Sequence, residues 1–199
     1  MMTEKEKRDA GLLYDANYDP GILADLMACK DKCFACNQIP PSHMEERRAA
    51  FRTIFKHTGN NFWIQPPFWC DFGYNITLGE RFYANHNCTI LDGAAVTFGN
   101  DVFIAPNCCF ATAGHPLDAE QRNRGLEYAY PITVGDNVWI GAGVTVLPGV
   151  TIGSGTMIGA GSLVNRDIPA GVLAAGNPCR VIRSLTAADA EKYKTPFGK

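Results

Sequence analysis

An aliphatic residue recurs at every sixth position over much of the second half of the chain, and no other feature limits the possible folds as strongly. Six is not a multiple of the 3.6-residue turn, so on a helix these residues would rotate around the axis instead of forming one face. Glycine directly follows four of the six members of this series. The members are Val134, Ile140, Val146, Ile152, Ile158 and Val164.

An earlier and less regular series has the same spacing, with a shift of two residues in its middle. A flat-sided coil accounts for both series: each six-residue unit forms one side of a triangular turn, and its recurrent residue points inward onto the next coil. A β-sandwich is the alternative, but its strands recur at roughly eight to twelve residues. The earlier series consists of Phe72, Leu78, Ala84, Ile90, Phe98, Ile104 and Phe110.

The first sixty residues have a different character, and we predict two or three short helices there. Thr3-x-x-Glu6 and Ser42-x-x-Glu45 match the capping-box pattern. We expect a helical segment over 1–60, a coiled β domain over 61–184 with a protruding loop at 111–131, and a tail over 185–199. The predicted breaks between the helices lie at Gly11, Pro20-Gly21 and Pro40-Pro41.

The charge balance and hydropathy exclude two classes of partner. The 199 residues include 18 basic and 20 acidic side chains, for a net charge of −2, so no overall field attracts a nucleic acid. No apolar stretch approaches the roughly 18 residues that a membrane span needs. The N-terminus lacks the apolar run of a signal peptide, so we expect a cytoplasmic protein whose eight cysteines stay free.

Three of those cysteines, in the stretch CKDKCFACN, have a C-x3-C-x2-C spacing that iron–sulfur clusters also use. The same positions, Cys29, Cys33 and Cys36, follow i, i+4 and i+7 spacing and share one face of a helix. Leu26 extends that face. We therefore interpret the three cysteines as packing residues.

Three motifs together resemble a known family. They are the [LIV]-G-x4 hexapeptide, the loop ATAGHPLDAEQRNRGLEYAYPITVGDNVWIGAG and the ending AAGNPCRVIR. They are similar to the maltose and galactoside O-acetyltransferases, within the hexapeptide-repeat acyltransferases. The resemblance implies a mainly β protein, a left-handed parallel β-helix with an N-terminal helical segment. It also implies a homotrimer with active sites between subunits, acetyl-CoA as co-substrate and a sugar as acceptor.

The long polar loop that interrupts the repeat contains His115, between Gly114 and Pro116. Loops of about twenty residues are unusual in compact domains and are often functional. T-A-G-H-P matches the family segment that carries the catalytic histidine. A sugar hydroxyl is a poor nucleophile, and an imidazole can take its proton and return it to the departing thiolate. We expect direct transfer in a ternary complex, without an acetyl-enzyme.

The resemblance also implies roles for residues that contact the acceptor. Asn85 is placed beside the reacting groups, although asparagine ladders that stabilise turns are an alternative role. Galactoside-type members have an acidic residue near Ala16 or Asn17 and an arginine near Leu26; this chain has neither, so the acceptor stays open. The acceptor candidates are Asn85, Asp92, Asp71, Glu127 and Asn17, and each acidic one is alternatively a solvated turn residue.

For acetyl-CoA, the resemblance implies backbone contacts along the coil and a cationic end for the nucleotide. The Ala142 amide is the candidate donor to the oxyanion, and a forked guanidinium suits a phosphate. The alternative for the arginines is an ordinary surface position. The co-substrate candidates are Asn85, Trp139, Ala142, Ala160, Asn165, Arg166, Arg180 and Arg183.

Three other functions stay open. Zinc carbonic anhydrases share this kind of coil but need three histidines, and only His86 and His115 fall in the repeat region, so we expect no metal. The acceptor is alternatively an antibiotic or an amine. A trimeric scaffold without activity is the third alternative, which the histidine in the long loop argues against.

Overall fold

The structure, a computed structural model, describes residues 1–191 and consists mainly of short strands. Within that range the helices are α1 (Glu4–Asp9), α2 (Pro20–Gln38), α3 (Met44–Arg52), α4 (Ala119–Asn123) and a 3-10 helix (Ala187–Ala190). The strands are β1 (Tyr14–Asp15), β2 (His57–Thr58), β3 (Phe62–Ile64), β4 (Phe68–Cys70), β5 (Ile76–Leu78), β6 (Phe82–Ala84), β7 (Cys88–Leu91), β8 (Val96–Phe98), β9 (Phe103–Ile104), β10 (Cys109–Ala111), β11 (Ala113–Gly114), β12 (Leu126–Ala129), β13 (Ile132–Val134), β14 (Trp139–Ile140), β15 (Thr145–Val146), β16 (Thr151–Ile152), β17 (Met157–Ile158), β18 (Leu163–Val164), β19 (Val172–Ala175) and β20 (Arg180–Ser184).

Most of these strands wind into a three-sided parallel coil. Successive strands pass from one face to the next, and the three sheets have the orders β2-β5-β8-β13-β16, β3-β6-β9-β14-β17-β19-β20 and β4-β7-β10-β15-β18. Leu78 pairs with Phe98, and Phe98 pairs with Val134, so each inward residue stacks on the one in the next coil. The recurrent residues of the regular series are at most 1% exposed. The prediction of an inward-pointing hexapeptide series is confirmed.

The prediction that Phe72 is the first inward-pointing residue of the earlier series is wrong, because Cys70 occupies that position. Cys70 pairs with Ile90 in the parallel ladder between β4 and β7. Phe72 lies two residues later in the bend before β5, where the Arg8 guanidinium stacks on its ring. The spacing from Cys70 to Leu78 is therefore two residues longer than the six-residue repeat. The spacing from Ile90 to Phe98, one coil later, is longer by the same amount. The coil also begins earlier than the expected boundary at 61, because β2 starts at His57 and pairs with β5.

Helices α2 and α3 pack against the first coil. The α2 residues Cys29, Cys33 and Cys36 are 4%, 0% and 3% exposed, so the packing interpretation of these cysteines is confirmed. The α3 residue Phe51 meets the Phe68 ring edge-on, with 5.7 Å between centroids. The helices therefore seal an apolar end that would otherwise be open to water.

The helix starts agree only in part with the capping patterns. The Thr3 capping box is present, with the Glu6 N–H donating to the Thr3 hydroxyl. The prediction that Ser42 caps a helix is wrong. Helix α3 begins after His43, and the His43 side chain makes no capping hydrogen bond. Pro20 lies in the first turn of α2, where its missing N–H costs nothing, and Asp19 caps that helix. That proline begins a helix and does not break one.

The loop predicted at 111–131 is ordered and reaches the N-terminal segment. β11 and β12 form an antiparallel pair, α4 connects them, and β12 also pairs with β1 through Tyr14 and Glu127. At the other end, β19 and β20 form an antiparallel pair after the last coils. The predicted tail, 185–199, includes the 3-10 helix Ala187–Ala190. Residues 192–199 of the tail lie outside the described range. None of the described helices is long and apolar enough to cross a bilayer.

Candidate active site

His115 follows β11 directly, and its side chain is half exposed. Its Nδ1 lies 3.2 Å from the carbonyl oxygen of Leu126 in β12. A carbonyl only accepts, so this contact assigns a proton to Nδ1, and in the neutral imidazole Nε2 then carries the lone pair. Nε2 points towards Glu127, with 3.6 Å between Nε2 and Oε1. The hairpin of β11 and β12 thus holds the imidazole in the tautomer that a general base requires.

Glu127 is tied to the N-terminal segment through Tyr14. The Tyr14 hydroxyl donates to Oε2 of Glu127 at 3.1 Å, and Tyr14 itself is 1% exposed. Burial raises the pKa of Glu127, while the Tyr14 hydrogen bond and the nearby imidazole oppose that rise. Burial and the Glu127 charge also raise the pKa of Tyr14, which keeps the phenol protonated as a donor. A carboxylate 3.6 Å from Nε2 is in a position to stabilise an imidazolium at His115.

A cavity of about 130 Å³ lies beside Glu127 and under the N-terminal segment. Asp71 faces into it, and burial together with the nearby Asp92 charge raises the pKa of Asp71 to about 6. Two carboxyl groups therefore supply hydrogen-bonding oxygens to a cavity of mixed polar and apolar lining. The cavity is lined by Tyr14, Ala16, Asn17, Ile22, Leu26, Asp71, Phe72, Gly93, Ala113 and Glu127.

Asp92 does not reach this cavity, and the expected contact with an acceptor is corrected accordingly. The residue is 0% exposed, and its Oδ1 accepts from the backbone N–H groups of Asp71 and Phe72 at 3.0 and 2.8 Å. Its Oδ2 is buried without a hydrogen-bond partner. Burial raises the pKa of Asp92, and the backbone donors oppose the rise. The geometry makes Asp92 a positioning group for the bend that carries Asp71.

Asn17 lines the rim of the cavity and is exposed. Its Nδ2 donates to the carbonyl of Gly125 at 2.9 Å, which fastens the N-terminal segment to the long loop. Its side-chain oxygen remains the group with which it can meet an acceptor hydroxyl.

Asn85 lies on another face of the coil, after β6, in a shallow apolar pocket of about 460 Å³ that it shares with Trp139. Tyr83 and Phe103 complete the aromatic wall of this pocket. The asparagine ladder of the neighbouring corner is formed by Asn87 and Asn107, whose side chains meet at 2.9 Å. Asn85 is not part of that contact, and its Oδ1 accepts from the His86 N–H.

Ala142 and Ala160 lie exposed at equivalent corners of adjacent coils. The Gly161 N–H donates to the Ala142 carbonyl at 2.8 Å, which holds the two corners in register. A Cβ on Gly141 would lie 2.6 Å from the Ala160 nitrogen, so glycine is required for this close approach. The corners therefore present backbone, with small side chains, along one edge of the coil.

The four candidates for the nucleotide end of acetyl-CoA differ in how free their side chains are to bind a ligand. Asn165 and Arg166 are exposed beyond β18, and Arg180 is exposed with its Nη1 donating to the Cys179 carbonyl. Arg183 pairs with Asp189 through both Nη atoms, at 2.8 and 2.5 Å. A phosphate would have to displace Asp189 before it reached Arg183.

Comparisons with known proteins agree with this architecture. Residues 131–166 match the bacterial transferase hexapeptide (six repeats), and residues 7–59 match the maltose acetyltransferase hexapeptide capping motif. The galactoside O-acetyltransferase of Escherichia coli (strain K12) is 43% identical over 192 residues, which cover 96% of this chain and 93% of the relative. The chain belongs to the maltose and galactoside O-acetyltransferase family.

Two solved structures of this family superpose over almost the whole chain. A galactoside acetyltransferase in complex with coenzyme A has a TM-score of 0.93 at 42% identity, covering 98% of this chain and 97% of its own. A maltose O-acetyltransferase from Clostridium difficile 630 has a TM-score of 0.91 at 44% identity, covering 93% and 98%. The predicted fold, a left-handed parallel β-helix with an N-terminal helical segment, is confirmed, and the chain is an acetyltransferase of this family.

Two groups of the candidate site have no signal in the sequence. Tyr14 carries no motif of its own, and only the β1–β12 pairing brings it opposite Glu127. The Leu126 carbonyl that fixes the imidazole belongs to the backbone, which no residue pattern identifies. The long loop was the available signal, because its second strand, β12, provides both partners of His115.

Proposed function

We propose that this acetyltransferase moves an acetyl group from acetyl-CoA to a hydroxyl of a sugar of the maltose, glucose or galactoside type. The observation that carries the proposal is the arrangement around His115: its Nδ1 contacts the Leu126 carbonyl and its Nε2 faces Glu127 beside a small cavity. A neutral imidazole with a free Nε2 next to a carboxylate is suited to taking a proton from a weak acid. A hydroxyl is such an acid.

In the proposed reaction, the acceptor hydroxyl lies within reach of Nε2 and attacks the thioester carbonyl as its proton passes to His115. The Glu127 carboxylate stabilises the imidazolium, and the backbone N–H of Ala142 donates to the oxyanion of the tetrahedral intermediate. Collapse of that intermediate breaks the carbon–sulfur bond, and the imidazolium protonates the departing thiolate. The acetyl ester forms without an acetyl-enzyme.

Asp71, Glu127 and Asn17 are the proposed acceptor contacts, because all three line the cavity. A cavity of about 130 Å³ is smaller than a hexose, so part of the sugar stays outside it. The carboxyl oxygens accept hydrogen bonds from hydroxyl groups. Asp92 contributes by holding the Asp71 bend in place.

The proposed co-substrate groove runs past the corners at Ala142 and Ala160, with Asn165, Arg166, Arg180 and Arg183 towards the nucleotide end. Trp139 is 50% exposed and offers an apolar face to the pantetheine arm. Asn85 and Trp139 share a pocket on a different face from the His115 loop, so we propose that a homotrimer brings the pocket of one copy to the loop of the next. The proposal also includes a division between the coiled domain and the tail after residue 184, and a cytoplasmic location in which the cysteines stay free.

An acetyl-transfer assay across a panel of sugars, aminoglycosides and simple amines tests the acceptor class. The free cysteine Cys109 is only partly buried and would react with a thiol dye, so consumption of acetyl-CoA is best followed by loss of thioester absorbance, with mass spectrometry of the product. We expect an acetylated sugar. Acetylation of amines alone would move the function to the non-sugar alternative, which two carboxyl groups in the cavity also suit. No turnover together with no acetyl-CoA binding by calorimetry would leave only the scaffold.

A further inference from the structure

Three cysteine sulfurs converge between α2 and the first coil, and none of the three residues lines the acceptor cavity. Cys29 and Cys33 lie one helical turn apart on α2, and Cys70 ends β4. The Sγ of Cys70 is 3.5 Å from that of Cys29 and 3.6 Å from that of Cys33. All three sulfurs lie within 4.8 Å of one another, and they are the one group with such metal-site spacing in residues 1–191. We call them the tri-thiol cluster.

The environment of the tri-thiol cluster is apolar and closed. The three residues are at most 4% exposed and belong to the main hydrophobic core. The buried carboxyl group of Asp92 is close by, because its Oδ1 accepts from the backbone N–H of Asp71, the residue after Cys70.

This environment discriminates between thiol-seeking ions. Zinc in closed protein sites is almost always four-coordinate, and iron–sulfur clusters use four cysteines, whereas the described residues offer three sulfurs here. Copper(I) accepts three thiolates, but that complex carries two negative charges in an apolar core beside Asp92. A trivalent centre bound to three thiolates is neutral. Burial therefore favours a trivalent, three-coordinate occupant.

We propose that the tri-thiol cluster is a binding site for a trivalent metalloid hydroxide of the arsenite class. Arsenous acid, As(OH)3, condenses with the thiols of Cys29, Cys33 and Cys70 to give As(S-Cys)3 and three molecules of water. Three As–O and three S–H bonds break, and three As–S and three O–H bonds form. Arsenic stays trivalent throughout, so the step needs no oxidant or reductant.

The occupied site ties α2 to β4 immediately beside the acceptor cavity, because Asp71 follows Cys70 in the chain. Entry requires a local separation of α2 from the coil, since the sulfurs have almost no exposed surface. Binding is therefore slow in the native protein and faster in mild urea, below the unfolding transition.

The test is a titration of the full-length reduced protein with sodium arsenite, read by native mass spectrometry. We expect one arsenic per chain with loss of three hydrogens, and the same result for Cys36→Ala, which removes a buried thiol of the same helix outside the cluster. Cys29→Ala, Cys33→Ala and Cys70→Ala should each weaken arsenite binding by at least about tenfold. Thermal unfolding of each variant checks that it is folded.

A second measurement uses the unaltered protein, so it does not depend on the folding of a variant. After arsenite treatment the chain is unfolded in the presence of an alkylating reagent, and peptide mapping identifies the protected thiols. Protection of Cys29, Cys33 and Cys70 with alkylation of the other five cysteines supports the site. Absence of bound arsenic, protection of a different set, undiminished binding by the three variants, or preferential binding of zinc or copper(I) over arsenite would each overturn it.

Discussion

Tyr14 donates a hydrogen bond to Glu127 across the β1–β12 pair, at 3.1 Å from hydroxyl oxygen to Oε2. This contact joins the N-terminal segment to the loop that holds His115. The other carboxyl oxygen, Oε1, faces Nε2 of His115 at 3.6 Å. The phenol therefore acts on the proposed base, His115, only through the carboxylate, which makes Tyr14 a positioning residue in the proposed reaction.

Removing the Tyr14 hydroxyl should slow acetyl transfer and shift its pH dependence. Tyr14→Phe takes away a hydrogen bond that lowers the pKa of Glu127, so that pKa rises further above its usual range. We expect a loss of about five- to tenfold in kcat near neutral pH, which corresponds to about 1–1.4 kcal/mol and lies in the range of one typical hydrogen bond. The acid limb of the kcat profile should move to higher pH, because protonated Glu127 no longer stabilises the imidazolium.

Tyr18→Phe is the matched control, since Tyr18 is 67% exposed on the same segment. It should leave both kcat and the pH profile unchanged. A Tyr14→Phe enzyme whose kcat falls with an unmoved acid limb would show that the hydroxyl acts only through packing.

Replacing Asp71 by Asn should stabilise the fold at neutral pH and weaken acceptor binding. The pKa of Asp71 is about 6 in the fold against a usual value of 3.8, so folding favours its protonated form. Its contribution to the free energy of unfolding is thus full below pH 3.8 and is lost as the pH rises through 6. Asp71→Asn should gain at most about 2 kcal/mol at pH 7.5, after allowance for partial exposure.

Urea unfolding at fixed protein concentration at pH 7.5 and near pH 3.5 measures this effect, and the KM for the acceptor should rise in the same variant. The exposed α2 substitution Asp31→Asn provides the control and should change stability by less than about 0.5 kcal/mol. Equal stabilisation by Asp71→Asn at both pH values would contradict the titration of Asp71 as its cause.

Truncation of Asp92 should unfold the protein more easily than its amide replacement. Asp92→Ala leaves the N–H groups of Asp71 and Phe72 without their acceptor, at a cost of about 2–4 kcal/mol for two buried donors. Asp92→Asn keeps an oxygen at the Oδ1 position and should cost less than about 1.5 kcal/mol. Urea unfolding separates the two, and similar losses would contradict the backbone role.

The inward positions of the coil should dominate its stability. Phe98 in β8 is 2% exposed, and its ring centroid lies 5.0 Å from those of both Phe82 and Phe110. Phe98→Ala should lower the free energy of unfolding by about 3–5 kcal/mol, since it leaves a cavity in the column. The neighbouring outward substitution Thr97→Ala should change it by less than about 0.5 kcal/mol. If Phe98→Ala and Thr97→Ala lowered the free energy of unfolding by comparable amounts, Phe98 would not belong to the stacked inward residues of the coil.

The coil was predictable because its signal is periodic and physically simple. A strand that turns every six residues exposes the same position to the core each time, so Val134 and its successors reveal the inward face without any knowledge of contacts. Phe72 was misassigned because the period alone does not locate insertions, and Cys70 is small enough to escape an aliphatic series. The start of α3 was misplaced because Ser42-x-x-Glu45 is a local pattern that the preceding Pro40-Pro41 turn overrides.

The candidate site was predictable to a smaller degree. His115 stands in a motif and in a conspicuous loop, whereas Tyr14 reaches Glu127 only after more than a hundred residues of chain have folded between them. The sequence does not show whether a carboxylate is buried, so it does not distinguish Asp92 from Asp71. The structure separates them, with Asp92 under the bend and Asp71 at the cavity.

The kinetics of His115→Ala test the central claim most directly. The variant should lose about 10²- to 10⁴-fold in kcat for acetyl transfer while it binds acetyl-CoA with unchanged affinity by calorimetry, because it lacks the base and keeps the groove. His57→Ala, which removes an exposed histidine of the first coil, should behave like the parent. A His115→Ala enzyme with near-parental turnover would contradict the account.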